Sequence, residues 1–223
     1  MRVAAYYAPA RDDPLLAAGN AWLGRDPETA APVAQPALPG IEAVTAEPRV
    51  YGFHATLKPP MRLRPGTSWA EVREAAAALA ARVAPFELPP LAIADIDGFL
   101  ALRETAPCPP LQAFSDACVE QLDRFREPPS EDEVARRRRA GLTAEQDAML
   151  TRWGYPYVFG TWFFHMTLTR RLAEDEKPGW LRATQAHFAG LLDRPRRVAH
   201  LCLFTQAAPG APFVIAERLA LCG

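Results

Sequence analysis

The stretch Phe53-His54-Ala55-Thr56-Leu57 returns, with one apolar exchange, as Phe164-His165-Met166-Thr167-Leu168. In each copy a histidine and a threonine stand two residues apart between apolar neighbours. A strand has a side-chain period of two, so both polar groups fall on one face and the Phe, the central apolar residue and the Leu fall on the other. Two such ribbons side by side offer two imidazoles and two hydroxyls, a set suited to the oxygens of a tetrahedral phosphate. Threonine is common on strands for packing reasons alone. Histidine has no such reason to recur in the same register, so the doubling marks His54, Thr56, His165 and Thr167 as a site.

Working outward, 223 residues with 49% hydrophobic and 23% charged side chains make one large domain or two intimate lobes with a real core. A net charge of −1, from 25 basic and 26 acidic residues, provides no broad positive field for a long nucleic acid. Any nucleotide ligand is therefore expected to be a small molecule or a strand end, such as an RNA end, with no obligate protein partner. The apolar start, Met1 to Pro9, is too short for a secretory core, and no later run is long enough to span a bilayer. A cytoplasmic location without membrane contact is expected. Cys108, Cys118, Cys202 and Cys222 lie far apart, which argues for free thiols rather than zinc or a disulfide framework.

Before the first motif, residues 2–8 read as a strand and Pro14 to Leu23 as a short helix. The Pro-rich stretch 26–48 reads as a long loop, either a flap over the site or a surface wrap. The first motif strand should run from Val50 to about Lys58 and stop at Pro59-Pro60. Ser68 and Glu71 form a capping box ahead of a one-sided helix through Val83. Two strands, 86–93 and 98–103, flank an Asp95-Ile96-Asp97-Gly98 turn, and the apolar stripe Leu111, Phe114, Cys118, Leu122, Phe125 marks another helix.

Residues 128–153 form a charged helical insertion. Glu131-Asp132-Glu133 ahead of Arg136-Arg137-Arg138-Arg139 complements a helix dipole, so a solvated helix is the plain reading and a basic patch for a polyanion the sharper one. The second motif strand is expected over about 158–172, followed by a helix over 177–192 and strands near 199–206 and 212–219. The result is an α+β protein with pseudo-twofold duplicated antiparallel sheets, flanking helices and a central cleft: lobe one about 1–125, lobe two about 155–223, with strand exchange between them allowed.

The paired strings resemble the His-x-Thr/Ser-hydrophobic motifs of the 2H phosphoesterase superfamily. The longer strings Tyr51-Gly52-Phe53-His54-Ala55-Thr56-Leu57-Lys58-Pro59-Pro60 and Phe164-His165-Met166-Thr167-Leu168-Thr169, with Tyr6-Tyr7-Ala8-Pro9, resemble its bacterial branch associated with phosphonate-metabolism operons. That resemblance implies the duplicated, LigT-like fold and metal-independent phosphoester chemistry. It leaves the substrate open.

The residues support the same chemistry without help. Opening a cyclic phosphodiester needs a base for water and an acid for the departing alkoxide, in line through phosphorus. Imidazole, with an unperturbed pKa of about 6.5, serves either role, and fixed hydroxyls stabilise the charge that builds on the non-bridging oxygens. Lys58, two residues beyond Thr56, shares the polar face if the strand continues. Tyr6, Tyr51 and Arg171 are weaker substrate contacts. His187, on an apolar helix stripe, and His200 read as packing, with His200 near enough in pattern to flank the site. Asp95, Asp97 and Asp175 lack the spacing of a metal site, so no metal and no cofactor is expected. A non-catalytic module that holds a phosphorylated ligand is the rival reading; RNA-end ligation is disfavoured by the charge balance.

Overall fold

The first strand, β1 (Arg2–Tyr7), is buried on both faces, which makes it a central strand. Val3, Ala5 and Tyr7 enter the main core, while Ala4 and Tyr6 pack with Cys202, Phe204, Phe213 and Ile215 on the opposite face. These positions belong to a computed structural model, which describes residues 1–139 and 141–223.

In chain order the elements are β1, α1 (Pro14–Leu23), α2 (Ile41–Tyr51), β2 (Ala55–Arg62), α3 (Trp69–Ala80), β3 (Phe86–Leu88), β4 (Leu91–Ile96), β5 (Phe99–Glu104), α4 (Pro109–Leu122), α5 (Glu131–Arg138), α6 (Ala144–Trp153), β6 (Met166–Thr167), α7 (Lys177–His187), β7 (Arg196–Val198), β8 (His200–Gln206) and β9 (Val214–Ala220). Seven strands form one antiparallel sheet in the order β4-β5-β6-β2-β1-β8-β9, and β3 pairs with β7 apart from it. The α+β class and the antiparallel layout are as the sequence implies. The two motif strands, β2 and β6, are neighbours in the middle of the sheet. Beyond β6 lie β5 and β4, from the middle of the chain, and beyond β2 lie β1, β8 and β9, from its two ends.

Three local expectations are corrected. First, β2 does not stop at Pro59-Pro60 but runs to Arg62. Ala5 pairs with Lys58 and Val3 with Met61, so the prolines occupy a bulge where the ladder is irregular and their missing N–H groups leave no regular bond unmade. On its other side β2 meets β6 only at Ala55↔Met166.

Second, the stretch read as a loop contains α2. Pro48 hides this helix from a propensity reading, because it removes the bond to the carbonyl of Val44. That carbonyl instead accepts from the backbone N–H of Arg170, 2.8 Å away, so the break in the helix ties it to the chain just after the second motif. Third, the strand expected over 158–172 is reduced to β6. Around it Leu168 N–H donates to the Leu100 carbonyl, and the Thr169 hydroxyl accepts from the Leu100 N–H.

The capping box at Ser68 is present, and two more, at Ser130 and Thr143, open α5 and α6. Arg62 at the end of β2 holds this insertion to the sheet through two bonds to Glu133, at 2.7 and 2.9 Å, and one to Glu127 at 2.8 Å. Helix α5 has no buried residue, as its solvated reading requires. All four cysteines are free thiols. Among the described residues no helix is long and apolar enough to cross a membrane.

Candidate active site

The pair Ala55↔Met166 is the centre of the site. Both side chains are buried in the main core, with Phe53, Leu57, Phe164 and Leu168. Their sequence neighbours must therefore point to the other face. Continuing the antiparallel register by one residue each way sets His54 across from Thr167 and Thr56 across from His165. Directly opposed Cβ atoms in such a pair stand about 4.5–5.5 Å apart. A local twofold axis through Ala55 and Met166 thus relates one His-Thr pair to the other, and neither motif makes the site alone. All four polar side chains line one cavity of about 300 Å³, together with Tyr6, Tyr51, Arg2, Arg137 and Tyr155.

The symmetry extends to the imidazoles. His54 Nδ1 lies 2.8 Å from the carbonyl of Gly52, and His165 Nδ1 lies 3.2 Å from the carbonyl of Phe163, in both cases two residues back. With Nδ1–H donating to the backbone, each Nε2 carries the lone pair. The Thr56 hydroxyl, 3.3 Å away, donates to His54 Nε2. Tyr6 stacks on the His54 ring with centroids 3.8 Å apart, and Phe163 lies against His165 at 4.9 Å.

Burial dominates the electrostatics. It lowers the His54 pKa to about 4, against the Gly52 hydrogen bond and with a contribution from His165. It also lowers that of His165, where the Phe163 carbonyl opposes the shift and Arg103 adds to it. Burial therefore favours the neutral form of both rings. Burial likewise raises the phenol of Tyr6, which stays protonated.

Gly52 makes the His54 geometry possible. Its φ of 79° and ψ of 176° lie in a region that essentially only glycine occupies, and an added Cβ would stand 2.8 Å from Cβ of Pro27. Gly52→Ala is expected to cost roughly 1–3 kcal/mol of stability and to release the His54 Nδ1 proton from its carbonyl. Thermal melting and the ring 15N shifts of His54 check this; a melt and a tautomer identical to wild type would refute it.

Of the weaker sequence candidates, Tyr6 and Tyr51 line the cavity, Tyr51 from the last residue of α2 rather than from a strand. Lys58 does not. The bulge in β2 shifts its parity, so it pairs with Ala5 on the core side, is 2% exposed, and donates to Asp123 (3.0 Å) and the Val119 carbonyl (3.2 Å). Arg171 also lies elsewhere, bonded to the Asp97 carbonyl at a separate surface hollow.

Asp95 is spent on the Gly98 N–H and Lys177, and among the described residues no group of three His, Cys, Asp or Glu side chains is placed to hold a metal. His187 bonds the Ala18 carbonyl and packs on Trp22 and Phe188, a structural role. His200 opens β8 and does not line the cavity. No residue of 26–48 lines it either, so the flap reading finds no support, and the segment's helix instead packs Ile41 and Val44 into the main core. A larger open groove along that segment has Arg49 as its cation, which is already committed to the Leu23 carbonyl and Gln35.

Sequence reasoning missed Arg2, Arg137 and Tyr155. Only the arginine run carried a signal, and it did not say which of the four turns inward.

Two paired His-x-Thr strands facing one cavity are the arrangement of the 2H phosphoesterases. More particularly, the chain belongs to the family described as "Protein of unknown function (DUF1045)", whose profile matches residues 56–214. "Ribose 1,5-bisphosphate phosphokinase PhnN" of Janthinobacterium sp. (strain Marseille) is 38% identical over 231 residues, covering 100% of this chain and 51% of that protein. The protein of the same name from Laribacter hongkongensis (strain HLHK9) is 39% identical over 216 residues, covering 96% and 50%. The chain thus spans about half the length of these curated relatives. Among solved structures, E. coli LigT complexed with NADP+ superposes with a TM-score of 0.46 at 15% identity, covering 100% of this chain and 98% of that one. A structure described as a phosphoesterase superposes with a TM-score of 0.43 at 15% identity, covering 100% and 99%.

Proposed function

We propose that this protein hydrolyses a small cyclic phosphodiester of ribose or nucleotide type without a metal, His54 and His165 acting as base and acid and Thr56 and Thr167 holding the phosphate. The observation that supports the reading is the local twofold at Ala55↔Met166, which brings two imidazoles and two hydroxyls to the wall of one cavity. An in-line displacement draws on such a set.

The two rings titrate as a pair. Burial holds the His54 pKa down to about 4, so His54 is taken as the neutral base and His165 as the ring that carries the proton of the active form. In the hydrolysis His54 Nε2 takes a proton from water as its oxygen bonds phosphorus. His165 Nε2 gives its proton to the alkoxide oxygen as the P–O bond of the ring breaks. The product is a ring-opened phosphate monoester, and the proton has passed from one imidazole to the other.

The kinase named in the relatives transfers a phosphoryl group to a phosphorylated ribose. A Gly-x-x-x-x-Gly-Lys-Ser/Thr phosphate loop is not present in this sequence, which favours a role for the chain other than that transfer. A ribose phosphate as substrate remains in keeping with those names and with the operon association of the resembling branch.

The test is incubation with 2′,3′-cyclic nucleotides and with ribose 1,2-cyclic phosphate in EDTA, read by 31P NMR. Ring-opened monoester is expected. Saturable binding with no turnover of either class would establish a binding module instead, and a strict metal requirement would overturn the mechanism.

A further inference from the structure

Two guanidinium groups in the cleft have no task in the hydrolysis just described. Arg2, at the start of β1, and Arg137, on α5, line the cavity of the histidines and also an adjoining smaller one of about 100 Å³, so they stand where the two hollows meet. Of the other charges of the smaller hollow, Arg62 holds Glu127 and Glu133, and Arg126 holds Asp123 outside it; Arg136 lines the smaller hollow too but is exposed and does not reach the cavity of the histidines.

Among the described residues no carboxylate lies within 4.0 Å of Arg2 or Arg137. Arg2 is positioned by Gln206 (Nε to Oε1, 2.6 Å) and by the face of Phe213 at 5.3 Å. Arg137 lies over the ring of Tyr155 at 4.8 Å. In the run Arg136 to Arg139 it alone is half-buried, the other three being exposed. Two oriented guanidinium groups without acidic partners, beside a phosphate site, are built to receive an anion.

We propose that Arg2 and Arg137 form a second anion subsite, and that the substrate is a cyclic phosphodiester carrying a phosphate monoester elsewhere on the same molecule. This rests on the phosphodiester reading of the histidine cleft and adds the substrate class. The diester lies between His54 and His165, and the monoester reaches toward the α5 insertion. Arg62 anchors that insertion through Glu133, so the insertion serves to deliver Arg137 and sets specificity rather than chemistry.

The experiment compares kcat/KM for adenosine 2′,3′-cyclic phosphate with and without a 5′-phosphate, and for ribose 1,2-cyclic phosphate with and without one. The phosphorylated member of at least one pair should be preferred by about 10- to 100-fold, the worth of one or two charge-assisted hydrogen bonds. Arg137→Gln and Arg2→Gln should each shrink that preference about tenfold or more. Arg139→Gln, exposed and outside both hollows, should keep it.

Absence of any preference in wild type, or an equal loss on both members of a pair in Arg137→Gln, would overturn the subsite. A second readout does not need turnover: calorimetric binding of adenosine 3′,5′-bisphosphate and of AMP to the His165→Ala protein. If no cyclic ester is hydrolysed yet the bisphosphate binds at least tenfold tighter than AMP, and Arg137→Gln removes the difference, the subsite stands and the hydrolytic reading fails. Equal binding of the two ligands would sink the subsite alone.

Discussion

His165→Ala is expected to lower kcat/KM for a cyclic alkyl phosphodiester by about 10²- to 10⁴-fold, the usual worth of a positioned general acid or base. The same variant should lose far less on an aryl diester with a nitrophenolate leaving group, because that phenolate departs without being protonated. His54→Ala should lose as much on both substrates, since water still needs a base whichever group leaves. Groups that act as a unit are not additive, so the double variant should be little worse than the worse single one.

The pH dependence follows from the sign of the shifts. The active form needs one ring neutral and one protonated, and burial lowers both pKa values below the usual 6.5, that of His54 to about 4. The bell in kcat/KM is therefore centred below pH 6.5, with its alkaline limb set by His165. Steady-state kinetics of the three variants on the two substrates, with a wild-type profile from pH 3.5 to 9, checks all of this. Equal losses for His165→Ala on alkyl and aryl esters would sink the acid assignment, and a bell centred above pH 7 would contradict the burial argument.

Thr56→Val and Thr167→Val should each lower kcat by about 10²- to 10³-fold, the cost of removing one donor from a developing oxyanion. KM should stay near the wild-type value, because the non-bridging oxygens gain their extra charge only in the transition state. Valine matches threonine in shape and suits a strand, and neither threonine is buried, so the melting temperature should hold. Thr56→Val should also move the acid limb of the profile upward. The Thr56 hydroxyl donates to the lone pair of neutral His54, and losing that bond makes the ring easier to protonate. A rise in KM with kcat preserved would reassign the threonines to ground-state binding.

What could be read from the sequence about this site was what depends on near neighbours in the chain. His54 and Thr56 share a face because strand periodicity is local, and the same holds for His165 and Thr167. Repetition of a rare residue then announced that the two ribbons meet. Capping at Ser68, the extent of α1, and the packing of His187 were legible for the same reason, since each follows from residues within a few positions.

The tertiary structure decided whatever depends on partners far along the chain. The pairing Ala55↔Met166, across 111 positions, is what turns two half-sites into one. Lys58 obeyed the two-residue alternation on paper, yet the bulge imposed by pairing with β1 turned it into the core toward Asp123. Helix α2 persists despite Pro48 because Arg170 takes up the carbonyl that the proline leaves free. Arg137 differs from Arg136 and Arg138 only in the direction it faces, and that direction is set by where Arg62 and Glu133 dock the insertion. Periodicity decides which side chains of one segment share a face; register, bulges and docking decide what that face meets, and these exist only once the chain has folded.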